Sequence, residues 1–332
     1  MDTELNVCLT LKDDESGLEP AKTAPLPKRV ASKPPLAKKP TAKKLTTDVN
    51  RAVIILDDDS DAIIILDDDS DDDMSDDALV SNCKSTQIIA RAKYLELCGN
   101  KKIEVFQITT YQGRLITSST GVDSVNGCAV ISPLVVVYHL NSEGAGIANN
   151  MIVQIIDEIA PVILSRVRMQ LGLPDGDLIN PSDAHECLVD GNPVGGNILN
   201  PSMFVGVRGG NLCDAGNVTD FLKLFGHDDD QQPIAAALLF HAHVVSILKV
   251  VQSDGSIWYD LVDSMPTHFK TVIGASRTRC KDIVSLRALL YWYACEKFSV
   301  ADAKYIDSKK WDARNCERDP RVFQGFAWKK SS

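Results

Sequence analysis

Apolar positions are concentrated after residue 78, and their spacing predicts which elements form. Cys128–Leu140 is an almost continuous apolar run that predicts a buried helix, with Pro133 tolerated in its first turn. Between 152 and 171 the apolar residues recur at helical spacing, and we expect Pro161 to kink that helix. Gly172 is typical of a helix end. The first part of this region is therefore predicted to be mainly helical.

The pattern changes to strands further along the chain. Val244–Val251 and Ile257–Val262 are apolar and flank a Ser-Asp-Gly turn at 253–255, which is typical of a hairpin. Asp282 is a candidate cap for a helix over Ile283–Phe298. Helices followed by a hairpin sheet favour an α+β fold.

The remaining segments give weaker patterns. Ile88–Leu97 predicts a short helix or strand, and Ile103–Thr110 alternates as a strand does. Residues 174–217 are rich in Gly, Asn, Asp and Pro and predict long loops with short strands, including an exposed loop at 185–187 and a flexible loop at 206–211. Thr219–Phe225 predicts a short helix.

Residues 1–52 differ from the rest in composition. They are rich in Lys, Pro, Ala and Thr and poor in aromatic residues, so they predict a disordered basic tail that buries too little apolar surface to fold. Two basic clusters, at 27–29 and 38–44, are typical either of a solvated linker or of a nuclear import signal.

The charge of the chain is concentrated in one short segment. The net charge is −10, yet residues 57–77 hold 12 acidic residues and no basic one, so the remaining 35 basic and 33 acidic residues give +2. Duplex nucleic acid is bound through a basic surface. Direct binding of nucleic acid is therefore not expected.

Cysteine use and apolar runs predict the compartment. The apolar stretch over 234–251 is interrupted by His241, His243 and Lys249, so no membrane span or membrane partner is expected. The N-terminus lacks the features of a signal peptide. Nine cysteines without a CxxC spacing favour reduced thiols. We expect the nucleus, with the cytoplasm as an alternative.

An internal repeat lies in the acidic segment 53–77. Four aliphatic residues followed by Asp-Asp-Asp-Ser-Asp occur twice, ten residues apart. Each aliphatic run is too short to fold alone but could add as a strand to the sheet edge of another protein. The aliphatic residues are Val53, Ile54, Ile55 and Leu56 in the first copy and Ile63, Ile64, Ile65 and Leu66 in the second.

Each copy resembles a SUMO-interacting motif, in which aliphatic residues are flanked by acidic residues and phosphorylatable serines. The resemblance implies that SUMO is the partner. Two copies could hold two linked units of a poly-SUMO chain and gain affinity through effective concentration. Phosphorylation of Ser60 or Ser70 would add negative charge beside the aliphatic residues.

Three residues far apart in the chain could carry nucleophilic chemistry. Cys128 opens an apolar helix, where the helix dipole favours its thiolate, and Gly127 before it would let a substrate backbone approach; a buried structural cysteine is the alternative. His243 opens a strand and could serve as a general base. If Gln252 lies opposite Ser256 in the hairpin, His243 comes diagonally next to Asp263 on one face.

Competing assignments exist for each role. His241 is a second candidate for the base and Asp260 for the acid. His241 and His243 could instead be two metal ligands, but no third ligand is evident and no metal is expected.

The order Cys, His and Asp, with Trp-Tyr before the acid, resembles papain-fold cysteine proteases, and within them the deubiquitinases of the Josephin type. The resemblance implies a papain-like fold over 79–330, with N-terminal helices packed on an antiparallel sheet. It makes Cys128 the nucleophile, His243 the base and Asp263 the orienting acid, and it implies no cofactor. The family places a Gln shortly before the Cys, and this chain does not. We therefore expect Asn126 and the backbone N–H of Cys128 to support the oxyanion, with Gln112 and Gln107 as the other candidate amides.

The predicted function is that of a thiol isopeptidase that hydrolyses SUMO or ubiquitin conjugates. The alternatives are a deubiquitinase that acts on SUMO-modified substrates and a SUMO-binding scaffold without catalysis. The motifs indicate what is bound, not which modifier is cleaved.

Overall fold

The computed structural model describes residues 77–115, 124–142, 146–190, 199–226, 231–241, 243–269, 272–314 and 319–330. The tail predicted over 1–52 and the repeat predicted within 53–77 fall outside these ranges, apart from Asp77.

Eight α-helices and seven strands lie in the described ranges. The helices are α1 (Asp77–Gly99), α2 (Cys128–Asn141), α3 (Asn149–Gln154), α4 (Ala160–Leu171), α5 (Pro181–Asp190), α6 (Ala215–Leu222), α7 (Ile283–Lys297) and α8 (Val300–Ser308). The strands are β1 (Ile103–Gln107), β2 (Phe204–Asn211), β3 (Ile234–Phe240), β4 (His243–Val251), β5 (Ile257–Phe269), β6 (Val272–Cys280) and β7 (Val322–Lys329). In this part of the chain no helix has both the length and the apolar character needed to cross a bilayer.

The strands pair antiparallel in one sheet of order β1-β6-β5-β4-β3-β7-β2. The prediction of an α+β chain with an antiparallel sheet is confirmed. The central strands are apolar on both faces because helices cover both.

Alternate residues of the central strands face two separate cores. Ala235, Ala237 and Val244 join α2, α4 and α5 in one core. Ala236 and Val245 join α6 and α7 in the other. The period of two along each strand therefore separates two helical layers.

The hairpin has the predicted register. Ser246 lies opposite Val262, and the amide of Gln252 donates to the Ser256 carbonyl over 2.8 Å. The second strand is longer than predicted: β5 continues to Phe269, past an irregularity in its pairing with β6 that follows Asp263.

The predicted helices are present, with two differences from the prediction that involve proline. Pro133 lies inside α2 and not in its first turn, because the helix begins at Cys128, as predicted, and Pro133 is its sixth residue. The helix predicted over 152–171 begins at Asn149 and contains a wide π-helical turn at 155–159. Pro161 follows that turn at the start of α4; it has no N–H to donate to the carbonyl four residues earlier.

The prediction of long loops over 174–217 was wrong in two places. Residues 185–187 lie in α5, with Cys187 buried, because Ala184, Cys187 and Leu188 share one helical face. Residues 206–211 lie in the edge strand β2, where backbone pairing with β7 does not depend on side chains. Of the alternatives for Ile88–Leu97, the helix is correct.

Candidate active site

Cys128, His243 and Asp263 meet at one end of the central strands. Cys128 is the first residue of α2, His243 the first of β4, and Asp263 the last residue of β5 before its pairing with β6 becomes irregular. All three side chains are buried. The structure therefore brings together the three residues that the sequence analysis placed in one site.

Hydrogen bonds between α2 and β4 fix Cys128 beside His243. The Ser132 hydroxyl, one turn after Cys128, donates to the Val244 carbonyl over 2.8 Å. The Ser246 hydroxyl donates to the Ser132 carbonyl over 3.1 Å. Because Val244 follows His243, these two bonds hold the start of the helix against the start of the strand.

Hydrogen bonds from Arg168 and Asn126 hold the loop before Cys128. The buried Arg168 guanidinium donates to the Val125 carbonyl over 2.6 Å and to the Asp177 carbonyl over 3.0 Å. Asn126 has a positive φ of 53° and donates its side-chain amide to the Gly176 carbonyl over 2.8 Å. These contacts join the loop 124–127 to the turn at 174–177, so the position of the thiol does not depend on the helix alone.

Gly127 is required by packing. A Cβ at this position would lie 2.5 Å from Leu164 Cδ1 and 2.8 Å from the Ser124 carbonyl oxygen. The residue is buried, and its neighbours in the core account for the absence of a side chain. The close approach at Gly127 is thus to Leu164 and Ser124, whereas the sequence analysis expected a substrate backbone there.

His243 is held by Asp263 and reaches Cys128. Its Nε2 lies 2.7 Å from Asp263 Oδ1, and Cys128 is near enough to raise the pKa of the ring. Because Nε2 is bonded to the carboxylate, Nδ1 is the nitrogen left for the thiol. This order of atoms is the one that a proton relay between sulfur and imidazole requires.

The surroundings of His243 favour its charged form. Burial lowers the pKa of the ring, but the charge and hydrogen bond of Asp263, and then the contact with Cys128, outweigh it and raise the pKa to about 9. Near neutral pH the imidazole is therefore protonated in the resting site.

Asp263 receives two further hydrogen bonds. The Met265 amide donates to Oδ1 over 2.8 Å, and the Tyr293 hydroxyl donates to Oδ2 over 2.9 Å. The sequence analysis did not identify Tyr293. It stands in a Tyr-Trp-Tyr run in α7, and this helix packs against the face of β5 that carries Asp263.

A groove of about 550 Å³ opens onto Cys128. Its apolar lining comes from the segment around the start of α5 and from strands β3, β4 and β7. The lining residues include Leu178, Ile179, Pro181, Leu239, Val244 and Val322. An extended, largely apolar peptide could lie along such a groove with a carbonyl next to the thiol.

The competing base and acid have other partners. His241 Nε2 lies 3.3 Å from Asp302, at the groove. Asp260 is fully buried and bonded to Arg277 and Arg279. Because Asp260 and Asp263 are three positions apart in a strand, they point to opposite faces, and only Asp263 reaches His243.

The amides proposed for an oxyanion site are partly engaged. Asn126 already donates to Gly176. The Gln112 amide lies 2.9 Å from Met265 Sδ and accepts a bond from the Ser264 hydroxyl. Gln107 lies in β1. The backbone N–H groups of Cys128 and Ala129 stand in the first helical turn, where no earlier helical carbonyl is available to accept from them, and both residues line the groove.

Among the described residues, no group of three or more His, Cys, Asp or Glu side chains lies together as a metal site would require. The two histidines considered as ligands are paired instead with separate carboxylates, His241 with Asp302 and His243 with Asp263.

Comparisons with known proteins give no relative for the chain: no family model matches it, and no curated protein is significantly similar to it.

Proposed function

We propose that this chain is a cysteine isopeptidase of papain-like fold, directed to SUMO-modified substrates by the repeat at 53–71. The observation that carries the proposal is the contact of Cys128 with His243, whose other nitrogen is held 2.7 Å from Asp263, at the end of an open groove. A thiol, an imidazole and a carboxylate in this order form a nucleophile with its base and an orienting group.

In the first half of the reaction the Cys128 thiolate attacks the carbonyl carbon of the isopeptide bond. The oxyanion that forms is stabilised by the backbone N–H groups of Cys128 and Ala129, with support from Asn126. The C–N bond then breaks, and the imidazolium of His243 gives its proton to the leaving lysine amine. A thioester between Cys128 and the modifier remains.

In the second half neutral His243 takes a proton from water, and the hydroxide attacks the thioester carbonyl. The C–S bond breaks, the modifier leaves with a free carboxylate, and the thiolate–imidazolium pair is restored. Asp263 keeps one ring nitrogen protonated and directed away from the thiol throughout. No metal or cofactor takes part in these steps.

Because Cys128 is buried at the groove, we infer that the substrate tail carries no large side chains next to the scissile bond. A modifier that ends in Gly-Gly meets this requirement, and SUMO and ubiquitin both do. We assign SUMO as the cleaved modifier because the repeat at 53–71 already provides a SUMO-binding segment, and ubiquitin attached to SUMO is the second candidate. The basic clusters at 27–29 and 38–44 favour a nuclear site of action.

Electrophilic probes made from full-length SUMO and ubiquitin test the proposal. Each carries a thiol-reactive group in place of its terminal carboxylate, and a covalent adduct with one probe is expected. Cys128→Ala should abolish the adduct, and His243→Ala should slow it strongly. Cys187→Ala, at a second buried thiol in α5, is the matched control and should label like the parent.

Three outcomes change the proposal. Labelling that survives Cys128→Ala would remove Cys128 as the nucleophile. A preference for the ubiquitin probe would make the chain a deubiquitinase that uses SUMO as an anchor. Failure of both probes, with SUMO binding retained, would support the non-catalytic scaffold instead.

A further inference from the structure

The carboxylate of Asp263 is held on both of its oxygens by different parts of the fold. Oδ1 faces His243 Nε2 at 2.7 Å and the Met265 amide at 2.8 Å, and Oδ2 accepts from the Tyr293 hydroxyl at 2.9 Å. His243 belongs to β4 and Met265 to β5, whereas Tyr293 belongs to α7, which follows β6 in the chain. One oxygen is therefore assigned to the imidazole and the other to the phenol.

Tyr293 joins the two layers of the fold at the site. Cys128 packs in the core formed with α4 and α5, whereas Tyr293 packs in the core on the other face of the sheet. The start of α7 is fixed by Asp282, whose carboxylate accepts from the Ser285 amide over 2.7 Å. The phenol therefore comes from the buried face of a capped helix.

The phenol remains a donor over the whole working pH range. Burial, and then the nearby charge of Asp263, raise the pKa of Tyr293 well above its ordinary value. Tyr293 is only 7% exposed, and its neutral hydroxyl is bonded to a buried carboxylate. The hydroxyl therefore limits rotation of that carboxylate.

We propose that Tyr293 is a positioning residue for the reaction, which holds the Asp263 carboxylate so that Oδ1 remains directed at His243. The role rests on the proposed function. Tyr293 is absent from the lining of the groove, so it acts on the imidazole through Asp263 and does not contact substrate.

Tyr293→Phe keeps the ring and removes only the hydroxyl. We expect kcat to fall about tenfold, the effect of losing one hydrogen bond to a charged group, with KM unchanged. The groups that face the imidazole are Asp263 from β5 and Cys128 from α2. Because a freer carboxylate holds the imidazolium less firmly, the alkaline limb of kcat should move to lower pH.

A double-mutant cycle separates positioning from general stabilisation. In an Asp263→Asn background, Tyr293→Phe should cause no further loss of kcat, because the group through which the hydroxyl acts has changed. Tyr291→Phe on the same helix is the matched control and should leave kcat and the pH profile unchanged. An equal loss in both backgrounds, or an unchanged pH profile, would overturn the proposal.

A second measurement does not depend on turnover. The titration of the His243 ring, followed by NMR in the resting protein, should shift to lower pH in Tyr293→Phe, and an unchanged titration would also overturn the proposal. If neither probe reacts with the parent protein, the proposed function is wrong. The titration then still shows whether the Tyr293 hydroxyl acts on His243 through Asp263. If the parent reacts and Tyr293→Phe matches it in every readout, only the positioning role is wrong.

Discussion

The neighbours of His243 in the site change the pKa of its ring. Burial alone favours the neutral ring, yet the adjacent carboxylate and thiol reverse the direction and raise its pKa to about 9. Near neutral pH the ring therefore carries its proton, as the acid for the leaving amine must in the reaction that we propose.

Activity should decline on the alkaline side as His243 loses its proton. We expect kcat/KM, measured on a fluorogenic modifier amide between pH 6 and 10, to fall as the pH rises through about 9. His241→Ala is the control, because that ring is paired with Asp302 instead, and it should retain the same alkaline limb. If His241→Ala shifts the pH at which kcat/KM falls, then His241 and not His243 is the base.

The same pKa sets a direction for stability. The folded pKa of about 9 lies above the unfolded value of 6.5, so the folded state binds more protons between them. The stabilising contribution is fully present below pH 6.5 and is lost as the pH rises through 9. Urea unfolding gives the free energy of unfolding of the parent and of His243→Ala. The difference between the two should become smaller as the pH rises from 6.5 to 9, and a constant difference would contradict this prediction.

Gly127 is a packing requirement at the start of α2. In Gly127→Ala the new Cβ meets Leu164 and the Ser124 carbonyl, so we expect a loss of about 1–3 kcal/mol in the free energy of unfolding. Labelling of Cys128 should slow as the helix start shifts. Gly99→Ala is the matched control, since nothing lies within 4 Å of its added Cβ. Equal stability of the two variants would show that the loop 124–127 can move to accommodate the added Cβ, and that packing does not require glycine there.

At the scale of the element, β5 carries two buried carboxylates with different tasks. Asp260 neutralises Arg277 and Arg279 on one face. Asp263 serves His243 on the other face. The strand period of two separates a structural ion cluster from the candidate active site by only three residues.

Replacing each acid by its amide should separate these tasks. Asp260→Asn leaves the buried Arg277 and the partly buried Arg279 without their counter-charge, and we expect a loss of about 3–5 kcal/mol in stability. Asp263→Asn should lower kcat by at least about a hundredfold, because the imidazole loses its orienting group, with a smaller change in melting temperature. Thermal unfolding and probe labelling on both variants measure this. The reverse pattern would make Asp260 the functional acid.

At the scale of the whole molecule, the function that we propose would use two segments with different physical properties. The folded part supplies the groove and the site. The repeat supplies aliphatic and acidic residues that suit strand addition to a partner sheet, and its two copies allow bivalent binding.

Substituting both repeats should separate recruitment from chemistry. With Ile54, Ile55, Ile64 and Ile65 all changed to Ala, we expect the affinity for a SUMO chain to fall by roughly a hundredfold as avidity is lost. Hydrolysis of a small fluorogenic substrate should be unchanged. Lys38→Ala with Lys39→Ala is the control in the basic tail. Loss of both activities in the repeat variant would contradict the division of labour.

Local patterns predicted the elements whose signals come from adjacent residues. The apolar run after Gly127 predicted α2, the cap at Asp282 predicted α7, and the turn at 253–255 predicted the register of β4 and β5. That register was sufficient to bring His243 to Asp263 on one face. The amphipathic face of α5 lies among Gly, Asn and Pro residues and was not recognised. The strands β3, β6 and β7 and the helix α8 were not predicted either.

The sequence by itself determined the pairing of His243 with Asp263, because hairpin register is a local property of turn length and alternation. Only the tertiary structure decided that Cys128 meets His243, that Asp260 belongs to two arginines, and that Tyr293 completes the site. These contacts join residues more than fifteen positions apart. The contacts of Cys128 and Tyr293 come from the packing of helices on the sheet, and those of Asp260 come from the pairing of β5 with β6. No local periodicity encodes which helix end meets which strand end.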